Sequence, residues 1–472
     1  MDITKLTLIE IRNKIASGYF SASEVVKATL ENIEKNKDLN AIIAVNYDDA
    51  IESARKADGK LSRGEAPVLN GVPVVVKDNI STIGLPTTCA SKILDGYKPF
   101  YDATVVKRLK SAGAIIIGKS NMDEFAMGST SEKSAYGAVK NPFNKDLVVG
   151  GSSGGSACAV ATGLVSGALG SDTGGSVRQP SAFCGVVGLK PTYSAVSRYG
   201  LIAYASSLDQ IGPITKTVKD NALLLSVIAG IDEMDATSAK IETDYTNYAS
   251  GVKGKTVGIV KQFWKEIKDE KISLAVENAT RLLEKNGAKI KEVSLPSFRL
   301  SLPCYYAISC AESASNLARY DGIRYGKRIE KTDYESEIIA TRSTLFGDEV
   351  KRRIMLGNYL LGGSGRKLYE KANCVRELLK KELDEIFSDC DLILGPTTPT
   401  VAFEKGKNIA ISSSSNEDIF TSFVSLAGLP AISVPFGENG AGLPIGIQLV
   451  GKAFCEKTLY EASEVIEKEM RS

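Results

Sequence analysis

Two serine clusters, each surrounded by glycine, are the residues of this sequence best suited to catalysis. The clusters span residues 150–156 and 174–176, and they contain Ser152 and Ser176. Glycine lets backbone N–H groups approach a reacting group closely. Amide groups placed in this way can bind a developing oxyanion. The pattern therefore indicates an acyl-transfer site, although a pair of tight turns between strands and helices would give the same composition.

The absence of histidine limits how a serine nucleophile could be activated. It excludes the Ser-His-Asp triad, Cys-His nucleophiles and His-ligated zinc. The leading candidate for a general base is Lys77, in the β-branched run PVVVKDNI that starts at Pro73. A lysine at a strand end can extend its ammonium into water. If the side chain is buried instead, its pKa falls and the neutral amine can accept a proton.

Three short motifs match known signatures only formally. Residues 150–154 fit the G-x-S-x-G nucleophile elbow, whose triad needs a histidine that is absent. Residues 113–120 fit the P-loop pattern, but residues 114–117 predict a straight buried strand and not a loop bent around phosphates. Residues 364–367 fit S-x-x-K without its S-D-N and K-T-G companions. We assign no function to these three matches.

Composition narrows the class of protein. The chain has 472 residues, 43% of them hydrophobic, and a net charge of +2 with acidic and basic residues interspersed. This balance is typical of a globular protein and predicts no nucleic-acid or membrane surface. The first residues, MDITKLTLIEIRNKI, are charged throughout, and no apolar run reaches the length of a spanning helix, so we expect a cytoplasmic protein. The eight cysteines include no C-x-x-C pair, which argues against a metal or redox site.

Strand and helix patterns alternate along the chain and predict an α/β fold with a large mixed or parallel sheet. Predicted strands cover residues 41–45, 73–80, 114–118, 255–260, 288–295, 390–400, 430–436 and 443–451. Predicted helices cover residues 21–35, 48–60, 101–114, 215–230 and 273–285, with a last helix from Glu456. We expect a single domain over residues 1–472 that carries a mainly helical insertion at about 300–388.

Lys77, the segment GGSSGGSA from Gly150 and the segment GSDTGGSVRQPSAFCGVVGLKPT from Gly170 together resemble the amidase signature family. Members of this family are Ser-Ser-Lys amide hydrolases. The resemblance runs over nearly the whole chain and is most specific between residues 72 and 209. It implies a large mixed central sheet covered by helices on both faces.

The resemblance also implies a role for each residue of the serine-rich stretch. Ser176 would be the nucleophile and Lys77 the base, with Ser152 as the relay between them. Ser152 would follow a cis peptide bond from Gly151. The oxyanion would be held by the backbone N–H groups of Thr173, Gly174, Gly175 and Ser176.

Further segments resemble those members of the family that act as glutaminase subunits. These segments are NMDEFAMGSTSE, SRYGLIAYASSLDQIGPI, NLARYDGIRYG, VKRRIMLG and LAGLPAISVP. By this resemblance Arg353 would bind the carboxylate of glutamine and Asp418 its ammonium. Tyr305 would line the pocket, and the carbonyl of Ala126 would contact the substrate. Two residues beside Asp418 depart from the family pattern: Phe423 and Ser425, where proline and asparagine are usual.

The same resemblance implies partners. The ammonia would serve to convert Glu-tRNA(Gln) to Gln-tRNA(Gln) within an amidotransferase heterotrimer, in which this chain is joined by the B and C subunits. The B subunit would bind tRNA, ATP and Mg²⁺, and this chain would hold no cofactor or metal. Two other interpretations are a stand-alone amide hydrolase of the same family and a non-catalytic scaffold subunit.

Overall fold

The computed structural model describes residues 2–406 and 417–471, which form one sheet of eleven strands. The strands are β1 (Ile42–Val45), β2 (Pro73–Lys77), β3 (Ile115–Ser120), β4 (Gly167–Asp172), β5 (Val187–Lys190), β6 (Gln210–Thr215), β7 (Thr256–Val260), β8 (Lys289–Val293), β9 (Leu392–Pro396), β10 (Ala431–Glu438) and β11 (Pro444–Gly451). All eight predicted strands are present. Strands β4, β5 and β6 were not predicted.

Fourteen α-helices lie within the described residues. They are α1 (Leu8–Ala16), α2 (Ala22–Lys35), α3 (Tyr47–Ser62), α4 (Thr104–Ser111), α5 (Gly154–Ala161), α6 (Arg178–Cys184), α7 (Val218–Ile228), α8 (Glu270–Lys285), α9 (Ser301–Asn316), α10 (Tyr334–Leu345), α11 (Asp348–Leu361), α12 (Arg366–Asp389), α13 (Ile419–Ala427) and α14 (Glu456–Arg471). None of these helices has the length and apolar character that crossing a bilayer requires. Helix α7 begins later than predicted, because Thr217 caps it and Thr215 belongs to β6.

The sheet is mixed, as predicted. Its strand order is β1-β3-β2-β4-β6-β5-β10-β11-β9-β7-β8. Strand β2 pairs in parallel with β3 and β4, and β7 pairs in parallel with β8 and β9. The remaining neighbours are antiparallel. The two serine clusters flank β4, the neighbour of the strand that carries Lys77.

Strand β2 shows why the sheet is covered on both faces. Successive side chains of a strand point to opposite faces. Val74 and Val76 belong to one buried apolar cluster, whereas Val75 belongs to another. A run that is apolar at every position therefore forms a strand packed on both sides, which is typical of parallel neighbours.

The helices α9 to α12 fill the stretch between strands β8 and β9, where a helical insertion was predicted. Helix α9 packs against α11, α12 and α13. This packing brings Tyr305 of α9 and Arg353 of α11 toward Asp418, which immediately precedes α13.

Candidate active site

Lys77 ends strand β2 and is completely buried. Its Nζ donates hydrogen bonds to Ser152 Oγ (2.7 Å), to Ser153 Oγ (2.8 Å) and to the carbonyl oxygen of Ser171 (3.1 Å). Burial disfavours the ammonium and lowers the pKa of Lys77 to about 7. The sequence left open whether Lys77 extends its ammonium into water or is buried, and in the structure it is buried.

Ser152 follows a cis peptide bond from Gly151, as the resemblance implied. The N–H of Gly151 donates to Gln179 Oε1 at 2.8 Å. The carbonyl oxygen of Ser152 accepts the N–H of Asp123 at 3.3 Å. A Cβ atom on Gly151 would lie 2.2 Å from Asp123 Oδ2, so this position has room only for glycine.

Ser176 is brought beside this segment by a backbone hydrogen bond from the N–H of Ser153 to its carbonyl oxygen (3.1 Å). Ser176 keeps 7% of its surface exposed, whereas Ser152 is completely buried. Within the described residues Ser176 Oγ makes no hydrogen bond, so only the Lys77–Ser152 half of the predicted relay is closed. Contacts between a nucleophile and its base commonly tighten only when substrate is bound.

A buried ion pair, not predicted from the sequence, holds the loop that carries Ser176. Asp172 and Arg178 are both fully buried, and two guanidinium nitrogens lie 3.0 Å from the two carboxylate oxygens. Asp172 also accepts the N–H groups of Gly175 (2.8 Å) and Val177 (3.1 Å). The loop therefore surrounds a buried ion pair. Its two charges are hydrogen-bonded to each other and the carboxylate also to the loop backbone, as buried charges require.

This arrangement corrects the predicted oxyanion site. The N–H of Gly175 is already used by Asp172 and is not free to bind an oxyanion. The other three predicted donors make no hydrogen bond within the part of the chain that the structure describes: the N–H groups of Thr173, Gly174 and Ser176.

Tyr305 and Thr421 press on the same loop. A Cβ atom on Gly174 would lie 2.5 Å from Tyr305 Cζ, and one on Gly175 would lie 2.2 Å from Thr421 Oγ1. The Thr421 hydroxyl donates to the Gly174 carbonyl oxygen at 2.5 Å. The two glycines are thus required by close approach of neighbouring side chains.

Arg353 lies on α11 and is 4% exposed, so it is not an ordinary surface arginine. Its Nε donates to Glu349 Oε1 (2.6 Å), and its Nη1 donates to the Tyr204 hydroxyl (2.5 Å). The rings of Tyr204 and Tyr306 face the guanidinium, with centroids 5.4 and 5.3 Å from Cζ. Its Nη2 has no hydrogen-bond partner among the described residues. This fixed cation therefore keeps donors available for an anionic ligand.

Asp418 is also buried, and its Oδ2 accepts a hydrogen bond from Ser129 Oγ at 2.6 Å. Burial raises the pKa of Asp418 to about 7, while the hydrogen bond from Ser129 and the nearby positive charge of Arg353 oppose the shift. The Ser129 carbonyl oxygen in turn accepts from Gln179 Nε2 at 2.9 Å. A chain of hydrogen bonds through Ser129 and Gln179 therefore connects Asp418, the predicted anion, to Gly151.

A model of the amidase family matches residues 24–460. The chain belongs to the amidase family. It is 52% identical over 474 residues to the A subunit of glutamyl-tRNA(Gln) amidotransferase from Carboxydothermus hydrogenoformans, covering 99% of this chain and 98% of that protein. The A subunit from Halothermothrix orenii is 50% identical over 473 residues, with the same coverage.

Solved structures of amidases match the whole fold. The crystal structure of the A subunit of glutamyl-tRNA(Gln) amidotransferase from Thermotoga maritima is 41% identical with a TM-score of 0.80, covering 99% of this chain and 95% of that one. A peptide amidase in complex with the competitive inhibitor chymostatin is 29% identical with a TM-score of 0.85, covering 99% and 98%. The predicted amidase fold is thereby confirmed.

Phe423 and Ser425, the two departures from the amidase pattern near Asp418, make contacts with other residues. The ring of Phe423 packs against Phe263 and Phe298, with centroids 5.7 and 5.8 Å away. Ser425 Oγ accepts a hydrogen bond from Arg178 Nη2 at 3.0 Å. Asp418 is held instead by its contact with Ser129, in the segment MGSTSE.

Ala126, the last predicted substrate contact, lies in a turn close to the relay serine. Phe125 and Ala126 have positive φ angles of 49° and 61°, and the Ala126 N–H donates to the Asp123 carbonyl oxygen at 2.9 Å. The N–H of Asp123 is the group that contacts Ser152. Among the described residues, no group of His, Cys, Asp or Glu side chains is arranged to hold a metal ion.

Proposed function

We propose that this chain is the glutaminase subunit of a glutamyl-tRNA(Gln) amidotransferase. The observation that carries the proposal is that a buried cation, Arg353, and a buried carboxylate, Asp418, lie in the same site as the Lys77–Ser152 pair. Free glutamine presents a carboxylate and an ammonium beside its amide, so each of its charges has a partner here. The names and 50–52% identities of the relatives support the same function.

Acylation begins with Lys77 in its neutral form. As Ser176 Oγ attacks the amide carbon of glutamine, its proton passes to Ser152 Oγ and the Ser152 proton passes to Lys77 Nζ. The oxyanion is held by the N–H groups of Thr173, Gly174 and Ser176, which have no hydrogen-bond partner among the residues that the structure describes. Loss of one such donor typically costs 2.7–4 kcal/mol in the transition state, so roughly 3 kcal/mol each is a reasonable expectation.

Collapse of the tetrahedral intermediate breaks the C–N bond. The proton on Lys77 returns through Ser152 to the departing nitrogen, and ammonia leaves. Water then attacks the acyl-enzyme, giving its proton to the same relay, and glutamate is released as the proton returns to Ser176 Oγ. The relay ends as it began, and no co-reactant other than water is consumed.

The two charges of the substrate set its orientation. Arg353 binds the α-carboxylate through Nη2, which has no partner in the described residues, and Asp418 in its ionised form binds the α-ammonium. Tyr305 and the carbonyl of Ala126 line the space between them. A rigid guanidinium suits a carboxylate because its planar fork can contact both oxygens.

In this proposal the ammonia is used by a partner. The B subunit holds tRNA, ATP and Mg²⁺, and the small C subunit holds the other two together, so this chain needs no cofactor of its own. A net charge of +2 suits a protein that does not itself hold tRNA, since tRNA binding draws on many basic side chains. The complex would work in the cytoplasm.

Replacing Arg353 with alanine tests the substrate. We expect the KM for glutamine to rise roughly 10- to 100-fold in the assembled complex, because a hydrogen bond to a charged group contributes about 1.5–3 kcal/mol. Butanamide, which has the amide but neither charge, should be hydrolysed unchanged. Ammonia release measures both reactions.

Arg366→Ala provides the control, because its side chain is 72% exposed on α12 and pairs with Glu370, away from the Glu349 carboxylate that holds Arg353. Wild-type turnover of butanamide as efficient as that of glutamine would favour a stand-alone amidase. The non-catalytic scaffold subunit would be favoured if the wild-type chain hydrolysed neither amide and a fluorophosphonate probe failed to label Ser176.

A further inference from the structure

Two consecutive residues, Asp123 and Glu124, connect the two halves of the candidate site. The N–H of Asp123 donates to the Ser152 carbonyl oxygen at 3.3 Å. The Glu124 side chain is buried, and its Oε2 accepts the N–H of Gly347 at 2.9 Å. Gly347 is the N-cap of α11, the helix that carries Arg353. We call the Glu124–Gly347 hydrogen bond the 124–347 clasp.

The clasp is tightly built. Ser91 Oγ donates to the second carboxylate oxygen of Glu124, Oε1. The ring of Phe125 packs edge to face on Phe346, with centroids 5.7 Å apart. A Cβ atom on Gly347 would lie 2.1 Å from Glu124 Oε2. Burial raises the pKa of Glu124 to about 7, while its two hydrogen-bond donors oppose that shift. A methyl group at position 347 would therefore displace the Glu124 carboxylate.

The clasp acts on Arg353 through the helix. Arg353 follows Gly347 by six residues, which corresponds to about 9 Å along an α-helix. A packed helix moves as a unit, so a shift at its first turn also moves the guanidinium. The other end of the connection, at Asp123, is bonded to the backbone of Ser152. One dipeptide therefore connects the helix that carries the cation to the serine relay.

We propose that Glu124 is a positioning residue for glutamine. By holding Gly347, it keeps Arg353 at the distance from Ser152 at which a substrate bound by its α-carboxylate presents its amide to Ser176. The inference rests on the proposed function, since it requires a substrate with a carboxylate. Glu124 itself touches no substrate.

The test uses Glu124→Ala in the assembled heterotrimer, with glutamine and butanamide as substrates. We expect the KM for glutamine to rise on the order of 10- to 100-fold, since a misplacement of about 1 Å can have that effect. Values of kcat/KM for butanamide should stay within about twofold, because this amide does not use Arg353. Glu124→Gln should restore glutamine binding, because an amide can accept from Gly347 and donate to Ser91.

A second variant approaches the clasp from its other side. Gly347→Ala places a methyl group against Glu124 and should raise the KM for glutamine alone, even if Glu124→Ala fails to fold. Glu382→Ala is the matched control, because Glu382 likewise accepts a backbone N–H and a hydroxyl, both from Ser297, away from the site. Its KM should not change.

Two results would overturn the inference: an equal loss with both amides, or an unchanged KM for glutamine in the Glu124→Ala and Gly347→Ala complexes. Failure of the proposed function would appear differently. It would show in the unsubstituted complex, which would hydrolyse butanamide without preferring glutamine.

Discussion

Replacing Ser176 with alanine is expected to lower ammonia release from glutamine by roughly 10⁵- to 10⁶-fold in the assembled complex, the scale seen when a serine nucleophile is removed from a hydrolase. Ser176 keeps 7% of its surface exposed, and three N–H groups of its loop make no hydrogen bond within the described part of the chain. Without Oγ no acyl-enzyme can form. Activity should then fall to what binding and the oxyanion site alone provide.

Ser181→Ala is the matched control for this experiment. Ser181 is a fully buried serine on α6, and its hydroxyl donates to the carbonyl oxygen of Val177, the N-cap of the helix, at 2.7 Å. We expect its activity to stay within about twofold of wild type, because no buried partner loses its only hydrogen bond. A fluorophosphonate probe should label the wild type and Ser181→Ala but not Ser176→Ala. Near-normal turnover by Ser176→Ala would refute the proposed nucleophile.

The elements of the fold that the sequence predicts are those with strong local patterns. Strand β2 and helix α8 show this best, because unbroken β-branched runs and apolar residues at helical spacing need no distant information. Strands β4, β5 and β6 were missed. Their sequences, GALGSD, VGLK and QIGPIT, are short or rich in glycine and proline, and it is ladder pairing with one another and with their neighbours that makes them strands.

The candidate site likewise contains residues that local sequence patterns reveal and residues that depend on distant contacts. Lys77 could be singled out without a structure because a chain with no histidine needs another base, and a strand of valines predicts its burial. Ser129 could not, because its partner Asp418 is 289 positions away. Glu124 and Gly347 are likewise 223 positions apart. No periodicity in a sequence reports such pairs, so the residues that position a site are harder to predict than those that react.

The ion pair of Asp172 and Arg178 is an intermediate case. The two residues lie six positions apart in the segment SDTGGSVR, on either side of Ser176. Their spacing was visible in the sequence, but it did not reveal that both would be buried. Burial is what makes the carboxylate take the N–H of Gly175 and so removes one of the predicted oxyanion donors.

Replacing Lys77 with arginine is expected to reduce glutamine hydrolysis by roughly 10⁴-fold, close to the effect of Lys77→Ala. Arginine keeps a positive charge and can donate to Ser152, but its guanidinium does not lose a proton in proteins and so cannot act as a base. If the lysine merely supplied positive charge, Lys77→Arg would retain far more activity than Lys77→Ala. Comparing the two variants by single-turnover ammonia release separates these roles.

The pH dependence of the wild-type complex independently tests whether Lys77 is the general base. Because burial lowers the pKa of Lys77 to about 7, the neutral amine becomes the major form as the pH rises through 7, although the negative charges of Asp123, Asp172 and Asp209 oppose that shift. We therefore expect kcat to rise about tenfold per pH unit below pH 7 and to level off above it.

Protonation of Asp418 should cause a second loss of activity at low pH, which affects kcat/KM but not kcat. Its pKa, raised to about 7 by burial, means that the free site loses its anion as the pH falls, whereas the bound ammonium of glutamine keeps the carboxylate ionised. We expect kcat/KM to fall more steeply than kcat below pH 7 in the wild type. In Asp418→Asn the two slopes should become equal, with a raised KM. A kcat that does not change with pH across this range would mean that Lys77 is not the base, whatever the behaviour of Asp418.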